Sequence, residues 1–157
     1  MSHSRARSTL TRRQVLVATG GLVLTGFAAG MSEALADPAS TKEAIEALIG
    51  TKTPTTGRVK LTIPDLAENG HTVPLTISVE SPMTATDYVK AVHIFAEENP
   101  HPTVASYYFT VHSGKAEVST RIRLAKLQNV IVIAQMNDGS TYMTKMKVNV
   151  TIGGCGG

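Results

Sequence analysis

The chain has 157 residues, 42% of them hydrophobic, a formal charge of +3 and a single cysteine. That length suits one domain behind a leader segment, and one cysteine excludes an internal disulfide or a paired-cysteine metal or redox motif. Residues 1–36 hold four of the fifteen Lys and Arg and one of the twelve Asp and Glu, which leaves eleven of each beyond them. The basic balance therefore belongs to the leader, and with no Lys/Arg cluster after residue 36 it gives no support to nucleic-acid binding.

Residues 1–36 read as an export signal. Arg5, Arg7, Arg12 and Arg13 precede a moderately apolar run from Val15 to Ala29, and Ala34-Leu35-Ala36 is a small-x-small cleavage site before Asp37. The pair Arg12-Arg13, followed by Gln14, Val15 and Leu16, resembles a twin-arginine signal. Gly20, Gly21 and Gly26 interrupt the apolar run, which is too short for a confident membrane span of about 20 residues. Twin-arginine export is associated with pre-folded cargo. No cofactor motif is visible, so co-export of a partner without its own signal is the expected use.

Residues 37–57 read as a short helix and a linker. Ser40-Thr41-Lys42-Glu43 fits a capping box, Ile45, Leu48 and Ile49 share a helical stripe, and Gly50 ends it. The polar stretch Thr51–Gly57 reads as a loop. From Arg58 the period changes to two. Val59, Leu61 and Ile63 alternate with polar residues, and so do Val73, Leu75, Ile77 and Val79. Glu68-Asn69-Gly70 between them is turn chemistry. Segments 88–95 and 104–111 are apolar on both sides, 115–124 alternates, and 130–134 is a continuous apolar run suited to a central strand covered on both faces. Asp138-Gly139 is a turn, and 145–152 alternates again. About seven strands predict an all-β, immunoglobulin-like β-sandwich over 58–152, with Pro74 at an edge or bulge. Neither a cysteine pair nor a tryptophan supports an antibody-type domain.

The last strand leads into Gly153-Gly154-Cys155-Gly156-Gly157. Glycine costs the most backbone entropy to order, and chain ends fray, so residues 153–157 are expected to form a flexible arm with Cys155 near its tip. An arm without Cβ atoms is thin enough for a narrow cleft. The arm offers no cation or helix N-terminus to stabilise a thiolate, and a terminal carboxylate disfavours one, so activation of the sulfur falls to a docked partner. The alternative is an intermolecular disulfide, giving an exported structural sandwich linked as a homodimer through Cys155. A thiol enzyme ranks last, because no base, resolving cysteine or oxyanion motif is visible.

His71, His93, His101 and His112 show no metal-ligand spacing, so no metal site is predicted. Glu97-Glu98 reads as a solvated acidic turn. Asn99-Pro100-His101-Pro102 and Ser81-Pro82-Met83 read as rigid loops that either shape a binding surface or only turn the chain. Arg121 and Arg123 share a face with Lys115 and Glu117 that is expected to be solvated or in a subunit contact.

Taken together, the twin-arginine signal, Glu68-Asn69-Gly70 with Val73-Pro74, Ser81-Pro82-Met83-Thr84, Asn99-Pro100-His101-Pro102, Ser119-Thr120-Arg121-Ile122-Arg123 and the final Gly-Gly-Cys-Gly-Gly run resemble the SoxY family over essentially the whole chain. This is the cysteine-bearing subunit of the SoxYZ sulfur carrier of bacterial thiosulfate oxidation. The resemblance implies a non-catalytic periplasmic carrier whose Cys155 holds an S-thiosulfonate or sulfane adduct, with no permanently bound cofactor. It also implies a heterodimer with a smaller SoxZ-like subunit. Transient partners would be a haem c-containing conjugating enzyme, a manganese-dependent sulfate-releasing hydrolase and a sulfur dehydrogenase.

Overall fold

A computed structural model of the chain describes residues 38–154. The expected export signal over 1–36, with Arg12, Arg13 and Ala36, lies outside the described residues, as do Asp37, Cys155, Gly156 and Gly157.

Helix α1 spans Pro38–Ile49. It starts two residues before the expected cap, because a proline fits the first turn, where its missing N–H would have no helical acceptor. Ser40 therefore sits inside the first turn instead of capping it. Gly50 ends the helix as expected: its φ is +73° and its amide donates to the Glu46 carbonyl at 2.8 Å.

Nine strands follow among the described residues: β1 Thr55–Thr56, β2 Val59–Thr62, β3 Leu66–Asn69, β4 Val73–Val79, β5 Val89–Ala96, β6 Thr103–Tyr108, β7 Ala116–Ile122, β8 Gln128–Met136 and β9 Thr141–Ile152. One sheet has the order β1-β9-β8-β5-β6, with β3 also on β9, and the other has the order β2-β4-β7. The two extra strands come from segments expected as connections. β1, from the 51–57 loop, and β3, from the turn at Glu68-Asn69, both run parallel along β9. Neither has an apolar period of its own, so their strand character comes from a partner some 80 residues away. The 104–111 segment divides: β6 stops at Tyr108, and Val111–Ser113 forms a 3-10 turn capped by Thr110.

The two sheets face each other across the main core. Val73, Leu75, Ile77 and Val79 of β4 meet Val92, Ile94 and Ala96 of β5 and Val130, Val132, Ala134 and Met136 of β8. The other face of β5 and β8 presents Phe95, Ile131 and Ile133. These pack under Ala44, Ile45 and Ile49 of α1. The helix thus covers the outer face of the larger sheet through Ala44, Ile45 and Ile49, whereas Leu48, expected in the same stripe, is exposed, and β8 is buried on both sides as its continuous apolar run predicts. Pro74 lies in the middle strand of the smaller sheet. β2 pairs only from Thr76 to Val79, so β4 is locally an edge at Pro74, which tolerates its missing N–H.

Candidate functional site: the root of the cysteine-bearing segment

β9 delivers the chain to Gly153 and Gly154 at one end of the sandwich, next to the turn that follows β3. Strand β3 keeps parallel register with β9 as far as Asn69 opposite Ile152. The backbone then closes a small network. The Gly70 amide donates to the Ile152 carbonyl at 2.7 Å, the Leu124 amide to the Gly70 carbonyl at 2.8 Å, and the Gly154 amide to the Leu124 carbonyl at 2.8 Å. Three segments far apart in sequence therefore meet at Gly154, the residue before Cys155 in the chain.

Glycine is sterically required there. A Cβ on Gly70 would crowd the Leu124 carbonyl oxygen and lie 2.8 Å from the Gly154 nitrogen. A Cβ on Gly153 would collide with the Ala125 carbonyl oxygen, and one on Gly154 with the Gly70 carbonyl and the His71 amide. Gly154 is buried. The first two residues of the expected arm are thus seated against the sandwich, and their lack of side chains permits close approach as much as freedom.

The loop between β7 and β8 supplies Leu124 and Ala125, and the buried side chain of Asn99 fixes it. Asn99 Nδ2 donates to the Arg123 carbonyl at 2.8 Å. Its Oδ1 accepts from the Ala125 amide and from Gln128 Nε2, each at 2.9 Å. Gln128 Oε1 in turn accepts from the Glu98 amide at 2.9 Å. Leu124 itself is fully buried. The Asn99–Pro102 loop is therefore a buttress behind the root, and its chemistry is that of a satisfied buried polar network.

Beside it, Glu97 is held by Lys145 Nζ at 2.7 Å and Asn129 Nδ2 at 2.5 Å. Partial burial pushes the Glu97 carboxyl up, but the hydrogen bonds from Lys145 and Asn129 and the Lys145 charge outweigh it and leave the pKa below the ordinary range. The expected solvated turn is thus partly paired: Glu98 also meets Lys126 at 2.9 Å.

The structure does not gather the histidines. His71, His101 and His112 are exposed at separate turns, and His93 is buried on β5. Its Nδ1 lies 2.7 Å from Ser106 Oγ, its Nε2 has no hydrogen-bond partner, and burial lowers its pKa. Among the described residues no three His, Cys, Asp or Glu side chains cluster as a metal site. The Ser81–Met83 loop buries Met83 in the core, and Ser81 Oγ ties it by accepting from the Met83 amide and donating to the Asp87 carbonyl. Arg121 and Arg123 are exposed, as are Lys115 and Glu117. A recess of about 130 Å³ lined by Ile49, Lys52, Lys90, Gln135, Asn137 and Thr141 lies at the start of β9. It is roughly 36 Å of strand from Ile152 and is separate from the root.

Sequence reasoning misses Gly70, Asn99 and Leu124 as parts of this site. The available signal was a glycine closing a weak strand and an Asn-Pro pair, both of which read equally well as turns.

The model of the family described as "Sulfur oxidation protein SoxY" matches residues 45–155, a span that includes the whole root and Cys155. Among solved structures, the chain is similar to the sulfur carrier protein SoxY from Chlorobium limicola f thiosulfatophilum, at 33% identity and a TM-score of 0.60, over 73% of this chain and 98% of that one. It also shares a fold with a superoxide reductase (neelaredoxin) variant from Ignicoccus hospitalis, at 16% identity and a TM-score of 0.54, covering 69% and 90% of the two chains. The superoxide reductase from Nanoarchaeum equitans is similar at 14% identity and a TM-score of 0.51, covering 61% and 100%. At those identities the likeness to the reductases is one of fold alone. No curated protein matches. Family match and solved relative agree in kind: the chain belongs to the SoxY family of sulfur oxidation proteins.

Proposed function

We propose that this protein is the thiol carrier of an exported thiosulfate-oxidising system, with Cys155 as the attachment point. The family match that runs to Cys155 carries the reading. The geometry supports it, because the twelve-residue strand β9 ends at Ile152, three residue steps before Cys155 in the chain. Arg12-Arg13 would direct export by the twin-arginine route, with cleavage between Ala36 and Asp37 and a periplasmic destination.

The chemistry asks little of the carrier. Conjugation joins the Cys155 sulfur to the outer sulfur of thiosulfate, with loss of the thiol proton and two electrons, the electrons passing to a haem c-containing partner. Hydrolysis of the S-thiosulfonate by a manganese-dependent partner adds water, releases sulfate and leaves a sulfane sulfur on the cysteine. A sulfur dehydrogenase oxidises that sulfur further. A SoxZ-like subunit completes the carrier as a heterodimer. The carrier only holds and presents the cargo, so it needs neither a base nor a metal of its own.

The test is the intact mass of the protein isolated from thiosulfate-grown cells, with and without reductant. Reductant-sensitive additions of sulfur or thiosulfate mass on the Cys155 peptide, absent in Cys155→Ser, are expected. A bare thiol, or only a disulfide-linked homodimer, overturns the carrier reading in favour of a structural disulfide.

A further inference from the structure

We propose that Gly70 is a positioning residue for Cys155: with Leu124 it clasps the root of the segment and sets how far the thiol can reach. The proposal rests on the carrier reading for its use but on geometry for its existence. Beyond the last register pair of β3 and β9, two hydrogen bonds join root to body: Gly70 amide to Ile152 carbonyl at 2.7 Å and Gly154 amide to Leu124 carbonyl at 2.8 Å. The Leu124 amide bonded to the Gly70 carbonyl locks the two halves of the clasp together.

Two lengths of tether follow. With the clasp closed, Gly154 is held and the Cys155 Cα lies within about 3.8 Å of a fixed Cα. With it open, Cys155 is three residue steps from Ile152, and its Cα can reach roughly 10 Å from the end of β9. A closed clasp keeps the cargo near the body, and an open one lets the same sulfur enter a deeper site. Opening breaks only backbone hydrogen bonds at the edge of the sandwich, next to the exposed Ile152, so it belongs to the class of local openings that leave the core intact. The glycines on the two sides of Cys155 then have different tasks. Gly153 and Gly154 fit the clasp, where any Cβ collides, whereas Gly156 follows Cys155 in the sequence.

The experiment places spin labels on Cys155 and on a cysteine at exposed Lys60 (Lys60→Cys) in the full chain. It reads the distance distribution together with amide exchange at Gly154. Gly70→Ala drives a Cβ into the Leu124 carbonyl, so the distribution should broaden at least two-fold and Gly154 exchange at least ten-fold faster, with β8 amides unchanged. Gly154→Ala should do the same, and Gly156→Ala should leave both readouts as they are. If Gly70→Ala does not fold, the contrast between Gly154→Ala and Gly156→Ala decides. An unchanged distribution in Gly154→Ala, or equal broadening in both of those variants, overturns the clasp. Neither readout uses thiosulfate. Absence of a sulfur adduct therefore sinks the carrier reading and leaves the clasp, whereas an unmoved label sinks the clasp and leaves the carrier.

Discussion

Asn99 Oδ1 accepts a hydrogen bond from the amide of Ala125 at 2.9 Å, and the carbonyl of that same Ala125 is the surface on which Gly153 rests. One buried side chain thus holds the residue that receives the root, by bonding the peptide group just before the carbonyl that Gly153 meets. Asn99→Ala leaves three groups without their partner: the Ala125 amide, Gln128 Nε2 and the Arg123 carbonyl. Leaving buried polar groups unpaired costs about 1–3 kcal/mol each, and partial relaxation puts the expected loss at about 2–4 kcal/mol. Urea unfolding checks this. A loss below about 0.5 kcal/mol would mean that water replaces the side chain at no cost.

The sandwich was legible in the sequence wherever burial imposes a period. β8 is the clearest case: an apolar run without alternation demands cover on two faces, and the main core and α1 provide it. The stripe of α1 is legible for the same reason at Ile45 and Ile49, while Leu48, expected beside them, is exposed. β1 and β3 are not, because each is a strand only through hydrogen bonds to β9, and pairing across 80 residues leaves no local mark. The root is half legible. Cys155 between glycine pairs marks a special segment, yet glycine serves both freedom and close approach, and only the distance from Gly154 to Gly70 separates the two. Asn99 before Pro100 has the composition of a turn, and its three bonds to residues 24 to 29 positions away are a property of the folded chain.

Glu97 should show the acid side of stability. Its carboxyl is held below the ordinary range by Lys145 and Asn129 against the opposing effect of burial. A depressed carboxyl pKa contributes stability that is present above the unfolded value near 4.5 and is lost as pH falls through the folded one. The pair is partly exposed, so the contribution is small: Glu97→Gln should lower stability at pH 7 by about 0.5–1 kcal/mol. The difference between the two proteins should close in urea titrations as pH is taken below about 4.5. A difference that persists unchanged at acid pH would assign the loss to packing instead of charge.

His93 acts in a separate window. It is buried on the α1-facing side of β5 with Phe95, against Ser106 and near Gln135, and burial lowers its pKa from 6.5 while Gln135 partly opposes. A histidine whose folded pKa is depressed contributes stability that is full above the unfolded pKa and declines as pH falls from about 6.5 through the folded value. The urea midpoint of the natural protein should therefore drop between pH 7.5 and pH 5. His93→Gln, which keeps a polar partner for Ser106 without the titration, should remove that drop. An equal drop in the variant would place the acid-sensitive group elsewhere.

The buttress and the root should be energetically coupled. Asn99 holds the loop from Arg123 to Ala125, and that loop presents the Leu124 carbonyl to the Gly154 amide. Asn99→Ala alone should therefore speed amide exchange at Gly154, although the two residues share no hydrogen bond. Once the loop is loosened, Gly154→Ala has less to lose, so the stability losses of the two variants should sum to more than the loss in the double variant. Residues joined in one network deviate from additivity by about 0.5–3 kcal/mol, and the indirect link here predicts about 0.5–1 kcal/mol. Additivity within about 0.3 kcal/mol would show that burial of the Leu124 side chain holds its carbonyl in place without Asn99.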